Sequence, residues 1–413
     1  MRVGLKVALS DANLDLKQAS NQRQLSIAIS ALTPEGARTA PLNLCLILDH
    51  SGSMQGRPLE TVKQAAYRLL EQLAPGDRIS VVAFDHKAKV LIANQVVDNL
   101  TALKFEIGRL TADGGTAIDE GLKLGIEELA RGKNNTVSQI LLLTDGENEH
   151  GDNDRCLKLA ELAACQNFTV NTLGFGNHWN QDVLEKLADA GGGALAYIQR
   201  PEAAIEEFSR LFNRMQSVGL TNAHLILTFA NSARLAELKP IAQVLPETIE
   251  LSPEVDGDKI VVRLGDLMID APRVVLVNLY LSQLREGPQT LGRVQVRYDD
   301  PALGQTNLLS ESLNVEAVGM QQYQPQLNPE VQTHILALAK YRQTQIAETR
   351  LQQGDRAGAA TLLQSAAKTA LQMGDRNAAT VLQENATRLQ TGEDLSEADR
   401  KKTRIVSKTI LQP

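Results

Sequence analysis

Aromatic side chains are scarce, with one Trp, six Tyr and seven Phe among 413 residues. So few rings leave little on which to stack bases, which argues against the platforms of single-stranded nucleic-acid binders. Positive charge is also short: 42 Lys and Arg face 49 Asp and Glu, for a formal net charge of -7. The basic footprint that a phosphate backbone demands is missing, so nucleic acid is excluded as the expected partner. Cysteine is sparse and odd in number. Cys45, Cys156 and Cys165 show no metal-ligand spacing and form no disulfide framework; they read as reduced, mostly packed thiols. No apolar run approaches the ~18–20 residues of a membrane span. The opening MRVGLKVALSDANLDLK is interrupted by polar residues too early for a signal peptide. A cytoplasmic protein without a membrane span is the expectation.

What remains is ordinary globular material, 43% hydrophobic and 22% charged, and enough of it for two or three domains. From about Leu42 the pattern alternates. The apolar runs Leu42 to Leu48, Ile79 to Phe84, Val137 to Leu143, Phe168 to Leu173 and Leu195 to Ile198 read as buried strands, and Lys89 to Ala93 as a short edge strand. Amphipathic helices fall between them, beginning with Pro58 to Leu73 and ending with Ala203 to Met215. Strands that alternate with helices specify a doubly wound, mostly parallel sheet covered on both faces. Right-handed crossovers make 3-2-1-4-5-6 the expected strand order, with ligands held beyond the carboxyl ends of the strands at the switch point.

The flanking segments differ. Leu225 to Phe229, Ile260 to Leu264, Val274 to Leu281, Gly292 to Tyr298 and Ser312 to Ala317 read as strands without helices between them, hence antiparallel. Val3 to Leu9 and Leu25 to Ala31 are strand-like and lack partners of their own. Pairing them with 218–318 gives one β-sandwich into which the alternating segment is inserted, since domain termini tend to lie close together. A turn follows at T-P-E-G-A-R. Residues 326–413 read as helical throughout, a bundle of three or four helices. There LQQGDRAGAATLLQ and LQMGDRNAATVLQ place Gly354 and Gly374 to stop one helix and Asp355 and Asp375 to cap the next. The basic residues Arg400, Lys401, Lys402, Arg404 and Lys408 read as a solvated helix face.

The chemistry concentrates in three loops. Asp49-His50-Ser51-Gly52-Ser53-Met54 follows the first buried strand, and its carboxylate and two hydroxyls alternate so that all can face one point. Asp113-Gly114-Gly115-Thr116 precedes a helix, and Thr144-Asp145-Gly146-Glu147-Asn148 ends the fourth strand. In the expected sheet Asp49, Ser51, Ser53, Thr116 and Asp145 converge at the switch point. Oxygen donors of this kind suit Mg²⁺, with Mn²⁺ and Ca²⁺ as the other hard cations they accept, and not zinc. Taken singly, each of the five reads as a helix cap or turn residue.

With these three segments in this order and spacing, the sequence over about residues 41–217 resembles the von Willebrand factor A family. All five positions of that family's metal-ion-dependent adhesion site are filled. The resemblance implies direct coordination by Ser51 and Ser53, by Thr116 in some conformational states, and contact through water from Asp49 and Asp145. The remaining coordination site would go to water or to an Asp or Glu of a protein partner. Four segments are therefore expected: N-terminal sandwich strands at 1–40, the A-type domain at 41–217, the rest of the sandwich at 218–320 and a helical domain at 321–413.

A Mg²⁺-dependent protein-binding module, not an enzyme, is the reading that follows. Two others compete with it: an accessory subunit of a separate chelatase-type ATPase, and a metal-assisted hydrolase using Ser51, Ser53 or a metal-activated water. No motif places a general base, and no P-loop is present. Gly174-Phe175-Gly176 is an incomplete dinucleotide fingerprint. His50 is expected to point away from the ion, at the surface. His86, His150, His178, His224 and His334 lack paired spacing and read as structural or surface residues. Trp179 reads as local packing on a strand-end loop. Glu147, Glu149, Asp152 and Asp154 read as solvated acids favoured by the start of the next helix. The partner and the oligomeric state are not legible.

Overall fold

The computed structural model describes residues 2–33, 40–176, 179–198, 204–269 and 271–408. The turn expected after Ala31 and the reading of His178 lie outside the described residues, apart from Thr33. The strand Leu42–Asp49 is buried along its whole length. Leu44, Leu46 and Leu48 pack into one apolar layer, while Cys45 and Ile47 pack into the layer on the opposite face. A strand covered on both faces has no solvent side, so apolar residues fill it apart from Asn43, hydrogen-bonded to Leu129 and Ser138, and Asp49 at its end, and each fully buried Leu or Ile contributes about 1.5–3 kcal/mol.

Leu42–Asp49 is flanked in parallel by Arg78–Phe84 and Val137–Thr144. Phe168–Phe175 and Gly192–Ile198 extend the sheet on one side. Ala88–Val96 closes the other edge as its antiparallel member, longer than the run that announced it. In order of appearance the strands lie 3-2-1-4-5-6, as expected. The helices Arg57–Gln72 and Ala204–Gln216 pack on one face; Ile118–Arg131, Asn153–Cys165 and Gln181–Ala190 cover the other. Ile118–Arg131 sits unusually close to the sheet, because a Cβ on Gly125 would lie 2.5 Å from Ile47 Cδ1.

The chain before and after this unit shares two antiparallel-rich sheets. In the first, Arg2–Leu9 pairs with Asn21–Leu32, which pairs with Arg273–Leu281; Ile241–Leu245 and Ile249–Leu251 follow. In the second, Val218–Phe229 lies between Lys259–Met268 and Gly287–Asp300, and Leu313–Met320 pairs with the latter. Leu25, Ile27 and Val277 of the first sheet meet Leu225, Leu227 and Val294 of the second in a common apolar core. Asn13–Asp15, Ala233–Leu235, Ile249–Leu251 and Glu254–Asp256 escaped the sequence reading. Each spans three residues, too short to display a period.

Four helices end the chain: Pro329–Gln352, Arg356–Gln372, Arg376–Gln390 and Glu397–Lys408. Gly354 and Gly374 have φ of 81° and 79°, the left-handed conformation that ends helices cheaply only at glycine. Asp355 and Asp375 cap the helices that follow, accepting from the amides of Gly358 and Ala378. Val331 and Leu338 of the first of these helices pack on Ala242, Val274 and Leu276 of the first sheet.

The basic end of the chain corrects the expectation of a solvated face. Lys401 and Lys408 are buried. Lys408 Nζ lies 3.1 Å from Glu185 and 2.7 Å from Asp189. Arg404 pairs with Asp182 and Glu348, and Lys401 donates to the Trp179 carbonyl at 2.7 Å. The periodicity of Glu397–Lys408 matches an exposed stripe, but the acids that cover it are Glu348 of Pro329–Gln352 and Asp182, Glu185 and Asp189 of Gln181–Ala190, the last three more than 200 residues away.

Candidate metal centre

The three loops meet at the carboxyl end of the parallel sheet. Asp49 is the last residue of the central strand and is fully buried. One of its carboxylate oxygens accepts the Ser51 amide at 2.8 Å and the other accepts the Thr144 hydroxyl at 2.5 Å. The loop then curls through a single helical turn, Gly52–Met54, pinned when the Gly52 amide donates to the Gly114 carbonyl at 2.9 Å. The curl brings Ser51 Oγ within 3.1 Å of Ser53 Oγ. Ser53 donates its single hydroxyl proton to Asp145 Oδ1 at 2.7 Å, and the Ser51 hydroxyl lies between Ser53 and the Asp49 carboxylate.

Thr116 enters from the second loop, with its carbonyl held by the His150 amide at 2.9 Å. A Cβ on Gly146 would lie 3.3 Å from Thr116 Oγ1 and 3.8 Å from Ser53 Oγ, which places both hydroxyls against the turn after Asp145. All five expected donors thus border one spot. Asp49, Ser51, Thr116 and Asp145 are buried there, and Ser53 is exposed at the opening.

Electrostatics give the spot a sign. Burial pushes the Asp49 carboxyl up to about 6; hydrogen bonds from Thr144 and Ser51 pull against that, and the charge of Asp145 adds to it. A buried carboxylate beside a second carboxylate is short of positive charge. Among the described residues, no three His, Cys, Asp or Glu side chains cluster as metal ligands. The donors on offer are therefore two carboxylates and three hydroxyls, which fit a hard oxygen-seeking cation and not the nitrogen and sulfur preference of zinc.

His50 corrects a second expectation. It does turn away from the spot, but it is buried and not a surface residue. Its Nδ1 donates to the Thr111 carbonyl at 3.0 Å, Nε2 lies 3.8 Å from Asp85, and burial lowers its pKa. Cys165 is exposed, unlike the packed Cys45 and Cys156, whose thiols burial pushes up to about 12. Trp179 is packed as expected: its Nε1 donates to the Gly176 carbonyl at 2.9 Å, and Lys401 Nζ lies 4.6 Å from its ring centroid. Asp152 caps Asn153–Cys165 by accepting the amides of Asp154 and Arg155, while Glu147 and Glu149 are exposed.

Two supporting residues went unread. Thr144 orients Asp49, and Asn148 accepts the Ile118 amide at 2.7 Å, tying the third loop to the helix after Thr116. Thr144 stood inside a recognised segment but, as the end of an apolar strand, gave no sign that its hydroxyl turns inward.

Comparison with known proteins places these parts. Residues 43–211 match the von Willebrand factor type A domain, and residues 329–413 match the Sll0103-like, C-terminal alpha-helical domain. The protein sll0103 of Synechocystis is 62% identical over 413 residues, which span 100% of this chain and 98% of that protein. Mouse inter alpha-trypsin inhibitor heavy chain 4 is 28% identical over 208 residues, covering 48% of this chain but 22% of the heavy chain. The structure of a von Willebrand factor type A protein from Catenulispora acidiphila superposes with a TM-score of 0.84 at 19% identity, over 99% of this chain and 97% of that one; at that identity it speaks for the fold. Domains of this type generally mediate protein interactions and commonly bind a divalent metal. Through its full-length similarity to sll0103, the chain belongs to the Sll0103-like family, in which a von Willebrand factor type A domain is joined to a characteristic C-terminal α-helical domain.

Proposed function

We propose that the chain is a protein-binding module that captures an Asp or Glu of its partner through a Mg²⁺ ion, or a similar hard divalent ion, at a complete adhesion site. The observation that carries this is the hydrogen-bonded run Ser51–Ser53–Asp145, with Asp49 and Thr116 beside it, at an opening marked by the exposed Ser53. Ser51, Ser53 and Thr116 would hold the ion through hydroxyls, and Asp49 and Asp145 would balance its charge. When bound, the ion supplies a Lewis-acidic position that accepts a partner's carboxylate. Two carboxylates and neutral hydroxyls leave that acidity largely intact.

The hydroxyl partners support binding over hydrolysis. Ser51 and Ser53 meet each other and a carboxylate, whereas the nearest histidine in the motif, His50, is committed to Thr111. We read the two antiparallel-rich sheets as one sandwich into which the A-type domain is inserted. Calorimetry with Mg²⁺ and Mn²⁺ is the direct test. Saturable binding in the millimolar range or tighter, lost in Asp49→Ala, is expected. Heat indistinguishable from dilution with both ions would overturn the proposal.

A further inference from the structure

The loops around the opening carry a charge pattern that restricts the partner. Beyond Asp49 and Asp145, which would neutralise a divalent ion, they carry Asp85, Asp113, Glu147, Glu149, Asp152 and Asp154, against the full positive charges of Arg57, Lys87 and Lys89. Asp113, Glu147, Glu149, Asp152 and Asp154 are exposed. Geometry holds Asp113, Glu147 and Glu149 in the loops of the opening. Asp113 is fixed by its amide donating to the His50 carbonyl at 2.9 Å. Glu147 follows Gly146, which abuts Ser53 and Thr116. The Glu149 amide donates to the Glu147 carbonyl at 2.8 Å, turning the loop back on itself. Arg155, on the helix beyond, is already shared between Asp119 and Glu120.

The face therefore stays negative even with a divalent ion in place. A carboxylate arriving alone, or within an acidic segment, meets repulsion from these acids, and salt screens charges incompletely at separations below about 10 Å. Like charges across an interface cost affinity and slow encounter, while opposite charges steer it. We infer that the partner's coordinating Asp or Glu is embedded in a basic segment, whose Lys or Arg residues lie over Glu147 and Glu149 on one side of the opening and Asp113 on the other. This rests on the adhesion-site reading above and adds to it the chemistry that flanks the captured carboxylate.

The test uses the full chain and a bead-displayed peptide library with a central Asp or Glu and randomised flanks. Peptides captured in Mg²⁺ at low salt and released by EDTA are sequenced. Enrichment of Lys and Arg in the flanks, reduced severalfold when Glu147→Lys and Glu149→Lys are combined, is expected; capture should weaken steeply as salt rises. Both positions are exposed, and an unchanged thermal melt of the double variant checks its folding. An EDTA-released pool with neutral or acidic flanks overturns this inference while leaving the adhesion site standing. A pool that is empty in Mg²⁺ overturns the adhesion site and this inference with it.

Discussion

Asp49 sits where the central strand ends and the functional loop begins, and its environment is set for a cation. Its carboxylate is buried, receives two hydrogen bonds and faces Asp145. An ionised group so placed is destabilised by its burial until a positive charge arrives, by an amount on the order of 1–3 kcal/mol for an upward shift of this size. Replacing it by the isosteric amide removes that burden along with the affinity for metal. In EDTA, Asp49→Asn is expected to melt at or above the temperature of the unsubstituted chain. In millimolar Mg²⁺ the order should reverse, because ligand binding raises only the chain that binds. Thermal melts in both buffers check this, and a variant that is less stable in each would show that Asp49 matters to the loop by its shape alone.

Among the elements, the helical pair joined at Gly374-Asp375 differs from its sequence copy at Gly354-Asp355. Both aspartates cap a helix, yet Asp355 is exposed and Asp375 is buried, 3.0 Å from Lys340 Nζ. Lys340 is itself fully buried and also donates to the Val406 carbonyl at 2.8 Å, so one ammonium ties three of the terminal helices together. Removing the carboxylate of a buried pair takes away the ammonium's counter-charge, at about 3–5 kcal/mol, whereas losing an exposed cap costs much less. Asp375→Ala is therefore expected to unfold in far less denaturant than Asp355→Ala. Equal losses in chemical denaturation would contradict the role given to Lys340. Sequence alone displayed the repeat and both caps. It could not show which copy faces inward, because burial depends on the helix packed across from it.

On the scale of the whole molecule, the last helix, Glu397–Lys408, clasps Gln181–Ala190 of the A-type domain. Arg404 reaches Asp182 and Glu348, Lys408 reaches Glu185 and Asp189, and the Lys408 carbonyl accepts the Thr248 amide at 2.8 Å. Three parts of the chain are joined by these contacts. Arg404 also lies 3.8 Å from Glu185, so reversing the charge in Arg404→Glu sets it against the carboxylates of Asp182, Glu185 and Glu348 and is expected to release the helix. Hydrogen exchange should then quicken in 181–190 and in 397–408, while the central sheet stays protected. Exchange that rises everywhere would point to global destabilisation instead.

Some of this was settled by the chain's order of residues alone. Apolar runs alternating with amphipathic helices, together with the handedness of crossovers, left essentially one sheet order, and that order brought Asp49, Ser51, Ser53, Thr116 and Asp145 to a common end. Local signals suffice there because strand burial and helix periodicity are written within about ten residues. The tertiary structure alone decided that His50 is interior, that the basic C-terminal stripe is covered by the chain's own acids, and that strands of three residues complete the outer sheets. Each depends on groups far apart in the chain, and charge or burial acquires its partner only when packing brings distant segments within a few ångströms.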